Sequence, residues 1–351
     1  MTDAYLELAK NIKQWGQDAG FQQVGITDVN VSAHKAYYDN WLAANYHGEM
    51  SYMQRHAELR ANPALLQTNA LRCISFRMDY HQPDSQAIDV LQSPNKAYIS
   101  RYALGRDYHK LIRKRLAELA EKIAEASKQQ LQQRAFVDSA PVLERALAEK
   151  SALGWIGKNT MLINSKAGSW FFLGEILTDL PLPIDEPQTQ SHCGSCTACL
   201  DICPTNAFVG PNQLDARKCI SYLTIELKGA IPEPLRTAMG NRVFGCDDCQ
   251  LVCPWNKFAS ASQERDFSPR HQLDNTELLV LFQWSESEFL ANTEGSAIRR
   301  IGYERWQRNL AVGLGNAPFN ILIVKALNKA LLTSSELVSE HIQWAIQQQQ
   351  K

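Results

Sequence analysis

The feature that most constrains this chain is a run of cysteines, Cys193-x2-Cys196-x2-Cys199-x3-Cys203-Pro204, which matches the bacterial two-cluster ferredoxin spacing at every position. Two-residue gaps let several thiolates converge on one small cluster from a tight loop, while the fourth, followed by proline, points to a second cluster. A later run, Cys246-x2-Cys249-x3-Cys253-Pro254, repeats the pattern without its first member, and Val243 stands where that cysteine would be. Cys219, between the runs, is the obvious replacement. Crossed ligation then gives one 4Fe–4S cluster to Cys193, Cys196, Cys199 and Cys253, and the other to Cys203, Cys219, Cys246 and Cys249. The competing reading is a zinc ribbon, which also uses CxxC pairs. Two Cys-Pro endings and the lack of suitably spaced histidines weigh against it. The ninth cysteine, Cys73, sits in an apolar stretch and reads as a small buried hydrophobe.

A carrier ferredoxin needs only the cysteine segment, so the rest of the 351 residues must hold what the electrons are for. An odd cysteine count fits a disulfide framework poorly. No signal peptide and no run of 18 apolar residues is visible, so the expected home is the cytoplasm, with no membrane partner. Residues 1–20 have helical spacing, and Gln22–Ile26, Ala70–Phe76 and Ala97–Tyr102 read as strands. A helix is expected from Asp107, its N-cap, to Ala126. Phe136–Asp138 is a brief strand, Pro141 opens a further helix, and Met161–Asn164 with Trp170–Leu173 looks like a hairpin. Pro181, Pro183 and Pro187 mark a linker. Beyond the cysteines the chain is helical, with Trp306, Leu310 and Leu314 on one face, then helices over 322–331 and around 342–345. The expected layout is an α/β domain over 1–180, a two-cluster ferredoxin-like domain over 181–260, and a helical, HEAT-like region over 261–351.

Cofactor fingerprints are absent or incomplete. No GxGxxG follows a strand. Gly154-Trp-Ile-Gly157-Lys158 has two residues between its glycines where a P-loop has four, and reads as a tight turn. Asp107-Tyr108-His109 begins like a cobalamin-binding D-x-H-x-x-G motif, but Ile112 fills the glycine position, so His109 is given no role as a cobalt ligand. Asp138 ends an apolar strand, where a partly desolvated carboxyl with a raised pKa could donate a proton. The alternative is a helix N-cap just upstream of Pro141. Residues 95–134 hold ten Lys or Arg against four Asp or Glu, and Arg299, Arg300, Arg305 and Arg308 add a second basic group. In a chain of net charge −1 this sign segregation suits a phosphate-rich ligand.

Several segments together resemble the epoxyqueuosine reductase family: HGEMSYM at 47–53, Arg60-Ala-Asn-Pro63, SRYALGRDYH at 100–109, FVDSAPVLERALAEKSALGWIGKN at 136–159, RKCISYLTIE and GNRVFGCDDCQLVCPWN. The resemblance covers nearly the whole chain. It implies a cobalamin-dependent iron–sulfur oxidoreductase of queuosine biosynthesis, acting on tRNA that carries epoxyqueuosine at the wobble position. Removing the epoxide oxygen takes two electrons and two protons. By resemblance Asp138 is the proton donor, and Arg60, Ser100, Asp138 and Ser221 line the cobalamin site. The incomplete D-x-H-x-x-G motif fits a cobalamin held without a protein histidine. Lys110–Arg115 and the C-terminal arginines would meet phosphates, and Tyr108 and Trp255 would stack on bases. A low-potential electron donor, as yet unidentified, and a monomeric state are also expected. The alternatives are a relative of the cobalamin-dependent reductive dehalogenases and a non-catalytic polyferredoxin subunit.

Overall fold

The computed structural model describes residues 3–83, 86–187 and 190–351. Its organising element is a sheet of β1 (Gln23–Asp28), β2 (Arg72–Asp79), β3 (Gln133–Phe136) and β4 (Phe171–Thr178), in the order β1-β2-β4-β3. Strands and helices alternate along the chain as expected, yet every pairing in this sheet is antiparallel. Strand β4 reads FFLGEILT and is buried along nearly its whole length, the composition of an interior strand covered on both faces. Its register sets Leu177 opposite Cys73 and Glu175 opposite Ser75. Glu175 therefore lies at the centre of the sheet.

Helices α1 (Asp3–Asp18) and α2 (Tyr108–Ser127) cover one face, where Ile12, Ile112 and Leu116 pack on Ile74, Phe76 and Ile176. Gly174 permits the approach of α2, since a Cβ there would lie 2.8 Å from Leu116. The Asp107 carboxylate accepts the His109 N–H at 3.1 Å, the expected cap, worth about 1 kcal/mol. Helix α3 (Glu144–Lys150) covers the opposite face beside Cys73, Phe136 and Leu177. Cys73 is fully buried, as its apolar setting indicates, and burial pushes its thiol well above the ordinary value.

A second apolar core draws residues from 97–104, 216–244 and 273–345. It contains α4 (Ile220–Ile225), directly after Cys219, and the C-terminal helices α5 (Gly302–Asn316), α6 (Ile321–Leu331) and α7 (Glu336–Gln349). Trp306, Leu310 and Leu314 are all fully buried, as their spacing requires. Among the described residues no helix is long and apolar enough to cross a membrane.

Four local expectations are corrected. The proline-rich stretch is docked rather than free: Leu180 and Leu182 are buried, and Asp185 takes the Ile26 N–H at 2.8 Å and pairs with Lys13. Leu162–Ile163 pairs with Trp155–Ile156, leaving Phe171–Thr178 to the central sheet. Gly154 makes this pairing possible, because its backbone lies so close to the Ile163 carbonyl that a Cβ would be 2.2 Å away. The helix after Asp138 starts at Glu144, three residues beyond Pro141. Of Ala97–Tyr102 only Tyr98–Ile99 is extended; it pairs in parallel with Arg242–Phe244 and then turns.

Candidate active site

Cys193, Cys196, Cys199 and Cys253 line one cavity, together with Lys158, His192 and Trp255. Among the described residues no three of His, Cys, Asp and Glu converge on an ion-sized point. The thiols instead surround a space, as a four-iron cluster with one thiolate per iron requires. Burial, then Cys253, pushes the Cys199 thiol up to about 11. Bound iron would reverse that and hold each sulfur as thiolate.

The second set forms deeper. Cys219 stands at the N-cap position of α4, and burial raises its thiol, with the first-turn residues Ser221 and Tyr222 opposing; Cys203 stands nearby. Burial and Cys219 likewise raise the Cys249 thiol, which also feels Cys199 and Cys203. Burial, Asp248 and Cys219 raise that of Cys246. The two sets thus adjoin at Cys199 and Cys249. Cys196 is exposed, whereas the second set borders Asp247, which is only 2% exposed. The segment with the P-loop flavour fastens both loops. Lys158 Nζ donates to the carbonyls of Gly194 (2.7 Å) and Cys196 (2.9 Å), and Asn159 to that of Cys249 (3.3 Å).

Asp138 lies two residues past the end of edge strand β3, with φ +47°. It caps no helix, since α3 has Leu143 at its N-cap position and no side-chain cap. Its Oδ2 accepts from Tyr108 Oη at 2.5 Å and faces His109 Nε2 at 3.1 Å. His109 Nδ1 lies 2.8 Å from Asp107 Oδ1, and Arg300 pairs with Asp107 and also reaches the imidazole. The order is therefore Arg300, Asp107, His109, Asp138, Tyr108. Burial opposes charge on His109, but hydrogen bonds to Asp107 and Asp138 raise its pKa. Burial would raise Asp138, yet hydrogen bonds from His109 and Tyr108 hold it below the usual carboxylate range. This corrects the expected raised carboxyl: each partner shifts the other toward its charged form, Asp138 downward and His109 upward.

The Asp138 side chain is 55% exposed although Tyr52, Tyr102, Glu226 and Arg300 all feel its charge. The open space that this carboxylate faces, beside Tyr108, His109 and Arg300, is the cleft of the site. Tyr102 packs edge-on to Tyr108 with ring centroids 6.2 Å apart, and the adjoining Arg101 N–H donates to Asp247 at 2.8 Å, so the cleft and the second cysteine set share a wall.

Arg60 is buried and donates to the Tyr52 carbonyl at 3.0 Å, with its guanidinium 5.9 Å from the Tyr52 ring. Glu226, just past the end of α4, lies near Tyr52 and adds to the upward shift of its phenol. Ser100 is buried, and its hydroxyl donates to Asp247 at 2.5 Å, as does that of Tyr98 at 2.7 Å. Ser221 sits on Cys219. Tyr108 is not free to stack on a base, being buried face to face on Phe172 at 3.9 Å. Trp255 packs on Trp155 at the first cysteine cavity. Of the C-terminal arginines, Arg299 and Arg300 are exposed, whereas Arg305 and Arg308 are turned to carbonyls. Arg308 is fully enclosed, holding the carbonyls of Leu223, Leu227 and Gly229. Arg305 holds those of Ile301 and Ile225. On α2, Lys110, Arg113 and Lys114 are exposed, whereas Arg115 pairs with Glu264.

Fold and site define an iron–sulfur protein whose paired cluster loops adjoin an acid-floored cleft. A family model described as "4Fe-4S double cluster binding domain" matches residues 192–256, and one described as "Epoxyqueuosine reductase QueG, DUF1730" matches residues 60–139. The epoxyqueuosine reductase of Pseudomonas aeruginosa is 62% identical over 97% of this chain and 94% of its own length. That of Escherichia coli is 56% identical over 98% and 90%. The chain belongs to the epoxyqueuosine reductase family. A crystal structure of epoxyqueuosine reductase with an epoxyqueuosine-modified tRNA-Tyr stem loop superposes with TM-score 0.83 at 26% identity, covering 99% of this chain and 100% of that one. A Bacillus subtilis structure, described with its catalytic aspartate loop swung out of the active site, gives TM-score 0.83 at 26% identity over 98% and 99%.

Proposed function

We propose that this chain reduces epoxyqueuosine to queuosine in the tRNA anticodon loop, with Asp138 and His109 as its proton-handling pair. The observation that carries this reading is the shared wall. Tyr102 packs on Tyr108, which bonds Asp138, and the adjoining Arg101 N–H donates to Asp247, beside the second cysteine set, at 2.8 Å. Electrons and protons can thus reach one place, as reductive removal of an epoxide oxygen demands. Cys193, Cys196, Cys199 and Cys253 would hold one 4Fe–4S cluster, on the side where Cys196 is exposed to a low-potential donor, and Cys203, Cys219, Cys246 and Cys249 would hold the other; the two would supply single electrons.

The cleft fits cobalamin on one test. Both ring nitrogens of His109 are committed, to Asp107 and Asp138, so this imidazole is not free to act as a metal ligand, and Arg60, Ser100, Asp138 and Ser221 are the residues that would hold the cofactor. When bound, cobalamin supplies a low-potential metal centre able to engage the epoxide carbon. Arg60 shapes that rim through Tyr52, and Ser221 and Ser100 join it to the cluster loops. Asp138 faces the leaving oxygen; as charge develops there, the His109 Nε2 proton passes to the Asp138 carboxyl, which gives one proton to that oxygen, the second coming from water, and Arg300 with Asp107 keeps the imidazole oriented. In the solved Bacillus subtilis relative the catalytic aspartate is likewise on a loop.

The chain is read as a cobalamin-binding unit over 1–180, a ferredoxin-like unit over 181–260 and a HEAT-like helical region over 261–351, working as a cytoplasmic monomer. Exposed Lys110, Arg113 and Lys114 meet tRNA phosphates. Anaerobic incubation with cobalamin, a strong reductant and epoxyqueuosine-containing tRNA is expected to give queuosine by nucleoside mass spectrometry. An unchanged nucleoside, with both clusters intact and cobalamin bound, would contradict the reading.

A further inference from the structure

Behind the Asp138 turn lies a second pair of acids that the steps above do not use. Glu175 sits at the centre of the sheet, 0% exposed, and neither of its oxygens takes a hydrogen bond from any N–H or hydroxyl. The acid that faces it is Glu144, at the first turn of α3, which packs on β4. Two neighbouring carboxyls, one of them fully buried, disfavour two charges and favour a shared proton. An unpaired buried charge would cost several kcal/mol, on the order of what a whole domain has to spare. Glu144 has one further partner: its Oε1 accepts the backbone N–H of Asp138.

That hydrogen bond falls where the backbone needs it. Asp138 is in the left-handed region, which costs a residue with a Cβ about 1 kcal/mol. The turn has few other ties, among them Ser139 N–H to the Val137 carbonyl at 2.5 Å and Val142 N–H to that of Ala140 at 2.8 Å. We infer that Glu144, backed by Glu175, is a positioning residue for the proton pair: the two acids share a proton and hold the Asp138 turn so that its carboxylate faces the cleft. This rests on the function proposed above.

Several groups set the pH response. Glu144 is faced by Asp138 from the turn, Glu175 from β4, and His109 and Tyr108 from α2, with Arg145 beside it and Cys73 within reach from β2. Burial, then the Asp138 charge, pushes Glu144 up to about 8 from its ordinary 4.5. A carboxyl raised in the closed turn favours closure when protonated. Closure is therefore strongest below the ordinary value, weakens as pH rises toward about 8, and levels off beyond.

The test is amide exchange of the 137–141 peptide in the cluster-loaded, full-length protein between pH 5.5 and 8, as protection factors. In the unsubstituted protein protection should fall by up to about tenfold per pH unit, the limit for one group. Glu144→Gln keeps an acceptor for the Asp138 N–H without the titration, so protection should persist and most of the pH dependence vanish; what remains belongs to His109. Glu144→Ala should lose protection at every pH, and turnover should fall about 100-fold, as for a misplaced catalytic group, with tRNA KM and iron content unchanged. Protection in Glu144→Ala equal to that of the unsubstituted protein would overturn the inference. So would a Glu144→Gln protein that retains the full pH dependence. If Glu144→Ala does not fold, the Gln variant decides alone. The exchange readout needs no turnover, so a failed epoxyqueuosine assay with the expected exchange pattern would count against the proposed substrate and not against the latch.

Discussion

Each ring nitrogen of His109 has a carboxylate, Asp107 on Nδ1 and Asp138 on Nε2. A histidine whose pKa is raised in this way keeps its proton past the ordinary 6.5 and loses it as pH climbs through the raised value. Turnover is expected to fall on that alkaline side, and the stabilisation from the pair fades over the same window. His109→Gln should cut turnover by about 10² or more and remove the limb from the pH–rate profile. An unaltered profile would leave the imidazole a bystander. The sequence made Asp138 legible through the strand that it follows, but not its partner. His109 is dismissed as a cobalt ligand because Ile112 replaces a glycine; its pairing with Asp138, on a distant segment, leaves no local pattern. Glu144 and Glu175 were invisible for the same reason. The arginines misled in the opposite direction, because charge along a chain does not distinguish a guanidinium facing water from one holding carbonyls.

At the scale of elements, periodicity located the helices well. Helices α1, α2, α5 and α6 lie within a few residues of their expected spans, since each buries one stripe at helical spacing. It failed where strand partners had to be chosen. Leu162–Ile163 and Phe171–Thr178 are both apolar, and only the approach of Gly154 to Ile163 and the covering of both β4 faces decide which pairs with what. The prolines of the supposed linker mark a strap whose anchors, Leu180, Leu182 and Asp185, do not stand out in sequence. Arg308 shows how strongly one residue can join elements. Arg308→Met would leave the carbonyls of Leu223, Leu227 and Gly229 without that donor. Stability should drop by about 3 kcal/mol or more, at about 1–3 kcal/mol for each unmet buried group. Denaturant unfolding followed by circular dichroism checks this; a change under about 1 kcal/mol would mean the segment relaxes around the loss. For the cluster loops, Cys219→Ala should take bound iron from about eight atoms to about four. Retention of both cluster signals by electron paramagnetic resonance would break the crossed assignment.

Across the whole molecule, the route from exposed Cys196 through Cys199 and Cys249 to the wall beside Asp138 runs in one direction. Under the proposed function the tRNA enters from the cleft side. Charge reversal of Lys110, Arg113 and Lys114 should weaken tRNA binding and flatten its salt dependence, by about 0.7 log unit per log unit of salt for each single-strand phosphate no longer neutralised. Unchanged affinity and slope in a filter-binding titration would place the RNA elsewhere. The overall plan was open to sequence reading because eight cysteines dictate their own geometry. The cleft was not, because it is built from five separated segments that meet only on folding. Its chemistry is tested most directly by single-turnover reduction of epoxyqueuosine tRNA by the unsubstituted protein and Asp138→Asn, matched for iron, cobalamin and tRNA affinity. The amide keeps the size of the carboxyl and can still bond Tyr108, but it can neither ion-pair with His109 nor pass on a proton. The expected result is queuosine formation slowed by about 10² to 10⁴ in the variant. Equal rates in the two proteins would contradict it.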